Sequence, residues 1–296
     1  MRTRLSAFFQ RDEVLGYVLT IPLIVFAVIL MLYPFYSALV LSLQSKLVGQ
    51  APKFVGLANY VRLLTADAIF PTVVRNTLVY AVGTVACKLA LGLGMALTLN
   101  QRFRFRGIAR GLMLIPFVTP DLVVALTWRW IFDGTSGVLN YILKILGIIE
   151  VYVPWLSLPA TGLATVMVAN IWRGFPFFGI TLLAGLQSIS SDLYEAAEID
   201  GASAMGRFRF ITLPSLQMVI LVTTILSTIW TFNDFVLLWT MTMGGPADKT
   251  HILATYAYQL GFKNNQMGYA MAVSIAMVPL LVLLILILTP RIYRED

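Results

Sequence analysis

Residues 192–214 read DLYEAAEIDGASAMGRFRFITLP and form the longest polar break between two long apolar runs in the second half of the chain. Asp192 is placed to cap the amides of a new helix, and Glu195, three residues on, to reach back toward it, a carboxylate version of the capping box. Leu193, Ala196, Ala197 and Asp200 recur at the spacing of one helical face, and Gly201 is a natural terminator. Residues 202–210 can then restart a second helical turn. The spacing predicts a helix, a tight turn and a second helix lying at a membrane surface.

The membrane follows from the rest of the chain. Its 296 residues alone suggest about two soluble domains. Composition overrides that: 59% of residues are apolar and 12% charged, against roughly 45–50% and 25% in globular proteins. The single cysteine, Cys87, lies inside an apolar run, and His251 is the single histidine, so neither a disulfide framework nor a metal cluster is expected. The net charge of +7 does not indicate nucleic acid, because the basic residues lie beside apolar runs instead of forming an isolated face. Arginines beside spans anchor a protein to the cytoplasmic side and its anionic lipids.

The apolar runs predict an all-α membrane protein with six spans, at residues 14–41, 76–99, 108–132, 161–186, 215–240 and 268–289. Each is near the roughly 20 residues that cross a hydrocarbon core of about 30 Å. The first is too long for a signal-peptide core and lacks a cleavage site. Arginine density places the N-terminus (residues 1–13) and the C-terminus (residues 290–296) in the cytoplasm, on the evidence of Arg2, Arg4, Arg11, Arg102, Arg104, Arg106, Arg110, Arg207, Arg209, Arg291 and Arg294. The transmembrane domain is then residues 14–289, and the 192–214 break is cytoplasmic. Outer loops at 44–69 and 133–158 are expected to hold short interfacial helices, since 138–149 is apolar but too short to cross. A seventh crossing there would put the polar break outside.

The string Glu195-Ala196-Ala197, then Gly201, then Ile211-Thr212-Leu213-Pro214 resembles the EAA loop of permease subunits in binding-protein-dependent ABC importers. Phe54-Val55-Gly56-Leu57-Ala58-Asn59-Tyr60, Asn76-Thr77-Leu78 and Thr242-Met243-Gly244-Gly245-Pro246 agree in order. They resemble the carbohydrate-uptake branch, of maltose, glycerol-phosphate and trehalose type, and the first of its paired permeases more than the second. The resemblance covers residues 15–289. It implies a type I importer bundle in a bacterial or archaeal cytoplasmic membrane, with 192–214 as a coupling helix seated in a groove of an ATPase subunit. The coupling residues would be Glu195, Ala196, Ala197, Glu198, Asp200, Gly201, Leu213 and Pro214. The implied partners are a second permease forming a heterodimer, two ATP-binding subunits, and an extracytoplasmic solute-binding protein that delivers a carbohydrate to outer elements including residues 242–250.

The residue types suit that role. Glu195 and Glu198 offer charge to basic groups, Ala196 and Ala197 allow close backbone approach, and Gly201 permits a turn that a side chain opposes. A linker lying on the headgroups is the plainer reading, but four acidic residues fit poorly beside an anionic leaflet. The chain has no G-x-x-x-x-G-K-[ST] phosphate loop, so no cofactor is expected on it; ATP and magnesium would bind the partner ATPases.

Lys88, Asp121, Arg173 and Asp234 lie within spans, where a lone ion at mid-helix costs about 2.5–3.5 kcal/mol on insertion scales, so they should face the bundle interior. Two charges of each sign allow ion pairs that fix packing, and equally a polar pathway. Ala125 and Trp128 fall on the Asp121 face; Ser227, Thr231 and Asp234 share a face with Trp230 and Asn233 beside it; Asn170, Arg173 and Phe177 align on span 4. Sugars need such a mixture, polar groups for hydroxyls and an indole for the apolar ring face. The candidate substrate-pathway residues are therefore Asp121, Trp128, Arg173, Trp230, Asn233 and Asp234. Trp128 and Trp130 also suit an interfacial belt, and Lys88 suits helix packing. Arg173 would favour an anionic substrate, although pairing with Asp234 explains it equally. Pro116 and Pro120 should bend span 3, either to line a cavity or simply to pack.

Two other function classes compete. Gly134-Thr135-Ser136-Gly137 resembles the G-x-S-G of intramembrane serine proteases, but a serine nucleophile needs a nearby base and His251 lies in another outer loop. An ATP-independent secondary transporter or channel is disfavoured by six spans without inverted repeats or paired discontinuous helices.

Overall fold

A computed structural model of the chain describes residues 12–289. The terminal segments expected to be cytoplasmic, with Arg2, Arg4, Arg11, Arg291 and Arg294, lie outside the described residues apart from Asp12 and Glu13. Two units are distinguished by their contacts, Met1–Thr65 with Gln259–Ile275 and Ala66–Tyr258 with Ala276–Asp296.

In the first unit, helix α1 (Asp12–Ser42) carries exposed apolar side chains along most of its length, the surface of a helix that faces lipid or another subunit. It runs into a two-stranded antiparallel ribbon, β1 (Gln44–Ser45) and β2 (Lys53–Phe54), and then α2 (Ala58–Thr65). The Phe54–Tyr60 motif makes this turn. Gly56 takes φ +57°, Asn59 Nδ2 donates to Ser42 O (2.8 Å) and Gln44 O (2.9 Å), and the Ser42 and Tyr60 hydroxyls meet at 2.6 Å. The α1 exit is thereby fixed without a long ladder of strand bonds.

The second unit holds α3 (Phe70–Asn100), α4 (Arg106–Val118), α5 (Asp121–Ile131), α6 (Val138–Ile145) and α7 (Gly162–Gln187). It continues with α8 (Ser191–Ile199), α9 (Ala204–Arg207), a wider π turn (Phe208–Thr212), α10 (Leu213–Ser215), α11 (Gln217–Phe232), α12 (Phe235–Thr242) and α13 (Leu253–Tyr258). The last helix, α14 (Met267–Leu288), starts in the first unit and ends in the second. The α3–α7 contact is the centre of the second unit, and it is close because small residues let the backbones meet. A Cβ added at Gly92 would lie 2.3 Å from Phe178 Cβ and 2.9 Å from the Gly179 nitrogen. One core cluster gathers around Tyr80, Ala125, Val166 and Leu238, a second around Met95, Phe178, Leu182 and Leu216.

Among the described residues, four helical stretches are long and apolar enough to cross a membrane: Leu19–Ser42, Phe70–Asn100, Gly162–Gln187 and Met267–Leu288. Two bent pairs, Arg106–Val118 with Asp121–Ile131 and Ala204–Ser215 with Gln217–Phe232, bring the number to six. The six expected spans are thus present as an all-α bundle, with two corrections to their continuity.

Span 3, expected as one bent helix, breaks by 92° at Thr119-Pro120. Proline disfavours helical backbone at the residue before it, and Thr119 is extended at ψ 130°. Span 5, expected to run to residue 240, stops at Phe232 and restarts at Phe235. Asp234 caps the new helix by accepting from the Leu237 amide (3.4 Å), while Asn233 Nδ2 donates to the freed Ile229 carbonyl (2.9 Å). Two polar side chains therefore satisfy backbone groups that a break inside a membrane would otherwise leave bare.

Helix α6 is the expected short helix of the 133–158 loop. Its Asn140 is buried and uses its full hydrogen-bonding capacity: Nδ2 donates to the Asp133 and Val153 carbonyls, and Oδ1 accepts from the Val153 amide and Trp155 Nε1.

Candidate functional site

The break in α4–α5 and the break in α11–α12 flank one cavity of about 450 Å³ in the second unit. Asp121, the first residue after the span 3 break, turns its carboxylate to Arg173 on α7, and the two form an ion pair. Both side chains remain about one-third exposed, so the pair lines the cavity instead of being sealed in the packing. Trp230 packs on Phe177 (4.9 Å between ring centroids), one turn along α7 from Arg173, and Phe177 stacks on Phe117 (5.7 Å). The lining therefore combines charged and aromatic side chains.

Beside these side chains lies a buried polar hub. Asp234 accepts from the Tyr80 hydroxyl and from Asn170 Nδ2, each at 2.6 Å, in addition to capping α12. Lys88, 4% exposed, donates to Thr231 Oγ1 at 3.0 Å and lies against Gly174, where any Cβ would come within 2.5 Å of its Cε. Ion pairing joins Arg173 to Asp121, not to Asp234. Asn170 and Arg173 both line the cavity, although Asn170 Oδ1 and Arg173 Nε themselves are buried without a hydrogen-bond partner.

Of the residues expected along the pathway, Asp121, Arg173, Trp230, Asn233 and Asp234 line this cavity. Trp128 does not. It stacks on Phe132 (5.3 Å) and meets Trp172 edge-on (5.7 Å) against the Tyr80 core cluster, two turns along α5 from Asp121. Asp234 is nearly enclosed by its donors and shapes the cavity more than it opens to it, whereas Asn233 is exposed, with its Nδ2 on the Ile229 carbonyl. Tyr80 was missed. The available signal was a phenol inside an apolar span, which needs a partner when buried.

In the 192–214 segment the helix–turn–helix is present, with its cap corrected. Helix α8 starts at Ser191, and its cap is Ser190, whose hydroxyl accepts from the Asp192 amide (3.3 Å). Asp192 instead sits in the first turn, where its charge complements the amide dipoles. Gly201 ends the helix at φ +77°, and Ser203 caps α9 through the Gly206 amide (3.2 Å). Two ties cross the turn: Glu198 is ion-paired with Arg207, and the Tyr194 hydroxyl meets Thr212 Oγ1 at 2.9 Å. Glu198, read from the sequence as a charge offered outward, is thus engaged within the loop. Glu195, Ala196, Asp200, Gly201, Leu213 and Pro214 are exposed and Ala197 half-buried. The loop also exposes Ile199 (87%) and Phe210 (75%), large apolar groups that suit a partner's surface.

The remaining motifs bind loops. Asn76 Nδ2 donates to the Lys249 and His251 carbonyls (2.8 and 3.1 Å), and Thr77 Oγ1 accepts from the Leu253 amide (3.0 Å). Thr250 Oγ1 donates to Thr242 Oγ1 (2.8 Å) and to the Gly245 carbonyl (2.7 Å). Ser136 belongs to a turn in which Asp133 Oδ1 accepts from the amides and hydroxyls of Thr135 and Ser136. These bonds, led by the Thr135 hydroxyl, hold the Asp133 carboxyl far below the usual carboxylate range, which makes it a poor base. His251 Nδ1 is engaged with Thr255 Oγ1 (3.0 Å), so the protease reading has no nucleophile–base pair.

Membrane-length helices, two of them broken beside a cavity lined by charged and aromatic side chains, suit a permease bundle. The chain belongs to the family of binding-protein-dependent transport system inner membrane components, whose model matches residues 88–293. It is 37% identical over 267 residues to the trehalose/maltose transport system permease protein MalF of Thermococcus litoralis, covering 90% of this chain and 89% of that one. It is 36% identical over 280 residues to the lactose transport system permease protein LacF of Rhizobium radiobacter, covering 93% of each. Its fold matches a chain in the crystal structure of a bacterial ABC transporter involved in the import of the acidic polysaccharide alginate, with a TM-score of 0.83 at 23% identity over 98% of this chain and 100% of that one. The chain is accordingly an ABC importer permease, embedded in the membrane.

Proposed function

We propose that this permease carries a sugar or related carbohydrate, pairs with a second permease, and is driven through residues 192–214 by two ATP-binding subunits that hold ATP and magnesium. An extracytoplasmic binding protein delivers the substrate to the outer loops, and both termini face the cytoplasm. The observation that carries the substrate class is the cavity: the Arg173–Asp121 pair, about one-third exposed on each side, can exchange hydrogen bonds with hydroxyls, while the Trp230 and Phe177 rings in the same lining can cover the apolar face of a sugar ring. The trehalose/maltose and lactose permeases among its relatives support the same class.

In this reading the cavity is alternately open to each side. Closure of the ATPases pushes α8 and its turn, and the two ties pass that push to α10 and α11, which carry Trp230 to the cavity. The other permease completes the pathway. The chain itself binds no nucleotide and performs no chemistry.

The test is the assembled complex in proteoliposomes. Binding protein loaded with the cognate sugar should stimulate ATP hydrolysis and drive uptake. Gly201→Val, which forces a β-branched residue to φ +77°, and Glu195→Lys should leave membrane insertion intact and uncouple hydrolysis from uptake. Wild-type transport in both variants, or uptake driven by an ion gradient without ATPases, would refute the proposal.

A further inference from the structure

The loop between α3 and α4 reads QRFRFR over residues 101–106, arginines alternating with phenylalanines. Arg102, Phe103, Arg104 and Arg106 line a shallow cleft of about 470 Å³. Among the described residues, carboxylates form ion pairs with Arg173, Arg207 and His251, and none pairs with these three arginines. Arg110, one turn into α4, donates to the Leu99 carbonyl at 3.4 Å, and its Nε is buried without a partner. Three neighbouring guanidiniums without a counter-charge repel one another, and an anion between them removes that cost.

The phenylalanines restrict which anion fits. Phe103 and Phe105 are 43% and 65% exposed, and Ile108 on the next turn is 62% exposed. Phe105 holds a left-handed backbone, φ 70°, and the Arg104 guanidinium lies 5.3 Å from its ring centroid. The loop joins the end of a membrane-length helix to the start of a bent span, so it lies at the membrane boundary whichever leaflet it faces. A free phosphate would use the arginines and leave the phenyl rings in water. A ligand that is anionic at one end and hydrocarbon at the other uses both.

We propose that residues 102–106 form a binding site for an anionic phospholipid, with Arg102, Arg104 and Arg106 on the headgroup phosphate and Phe103 and Phe105 among the acyl chains. The proposal needs only the membrane helices and does not depend on the importer partners or on the substrate.

The experiment titrates phosphatidylglycerol into the full-length chain held in phosphatidylcholine nanodiscs or micelles and counts retained lipid by native mass spectrometry. Neutralising Arg102→Gln, Arg104→Gln and Arg106→Gln together should weaken phosphatidylglycerol binding roughly fivefold per arginine, about 100-fold in all. Because loop arginines also influence topology, a second variant keeps the charges: Phe103→Ser with Phe105→Ser should weaken phosphatidylglycerol by at least about fivefold and leave inorganic phosphate unaffected. Arg→Lys at the three positions should retain most of the binding. The proposal fails if the neutral triple variant binds within about twofold of wild type, if phosphatidylcholine binds as well as phosphatidylglycerol, or if the serine pair changes nothing and inorganic phosphate competes, which would make this a free-anion site.

Discussion

Replacing Asp234 separates a structural hub from a substrate contact. In Asp234→Ala the Tyr80 hydroxyl and the Asn170 amide each lose an acceptor that lies at 2.6 Å in the wild type. A buried donor left without a partner costs about 1–3 kcal/mol. The same change removes the cap on α12, worth about 0.5–2 kcal/mol. The sum is a loss of about 2.5–8 kcal/mol, large for one substitution. Tyr80→Phe removes one charge-assisted bond and should cost about 1.5–3 kcal/mol, while Asp234→Asn, which keeps an acceptor oxygen and the cap, should fall between wild type and alanine. The assay is unfolding of the full-length chain in mixed micelles titrated with dodecyl sulfate and followed by tryptophan fluorescence. If Asp234→Ala unfolds within about 0.5 kcal/mol of wild type, the scatter of a surface substitution, the hub is misread and Asp234 serves the cargo instead.

The same titration checks the α3–α7 contact. Gly92→Ala places a methyl 2.3 Å from Phe178 Cβ and 3.0 Å from the Phe175 carbonyl, so it should cost about 1–3 kcal/mol, whereas Gly94→Ala, with nothing within 4 Å, should cost none. Burial holds the His251 pKa below its usual value against the opposing pull of Asp248. The unfolded chain therefore takes up a proton first, so this contribution is complete above about pH 6.5 and is lost as pH falls below it. Hydrogen exchange over residues 242–256 should accelerate between pH 7.5 and 5.5 after correction for intrinsic rates, and His251→Gln should flatten that change; an equal slope in both proteins would rule it out.

The number of membrane helices and the turn at Gly201 were legible because both rest on local signals, the length of apolar runs and the positive φ that glycine permits. The lining of the cavity was partly legible. Asp121, Arg173, Trp230, Asn233 and Asp234 could be grouped because an ion or amide inside a span must face inward. Trp128 shares the Asp121 face by spacing within α5, but face alone does not fix depth: two turns beyond Asp121 the helix has left the cavity, and the indole packs into the Tyr80 core cluster. The end of α11 was missed for a different reason. Hydropathy continues unbroken through Phe232 and Phe235, and only Asn233-Asp234, read as caps instead of as ligands, marks the stop. The Ser190 cap was overlooked because three polar residues in a row, Ser190, Ser191 and Asp192, offer the same chemistry, and only backbone angles choose among them.

The two ties across residues 192–214 bear on how the segment can vary. Glu198 with Arg207 and Tyr194 with Thr212 each link one arm of the turn to the other, so neither member is free to drift alone. Losing Arg207 leaves the mostly exposed Glu198 carboxylate to water, while losing Thr212 leaves the Tyr194 phenol without its partner. Substitutions at these four positions should therefore tend to change as couples, a reversed pair such as lysine for Glu198 with glutamate for Arg207 keeping the tie that either half alone gives up, at about 0–1 kcal/mol for the exposed pair. Ile199 and Phe210, exposed at 87% and 75%, carry no such tie among the described residues. One short segment thus sets positions that must change together beside positions that can change alone.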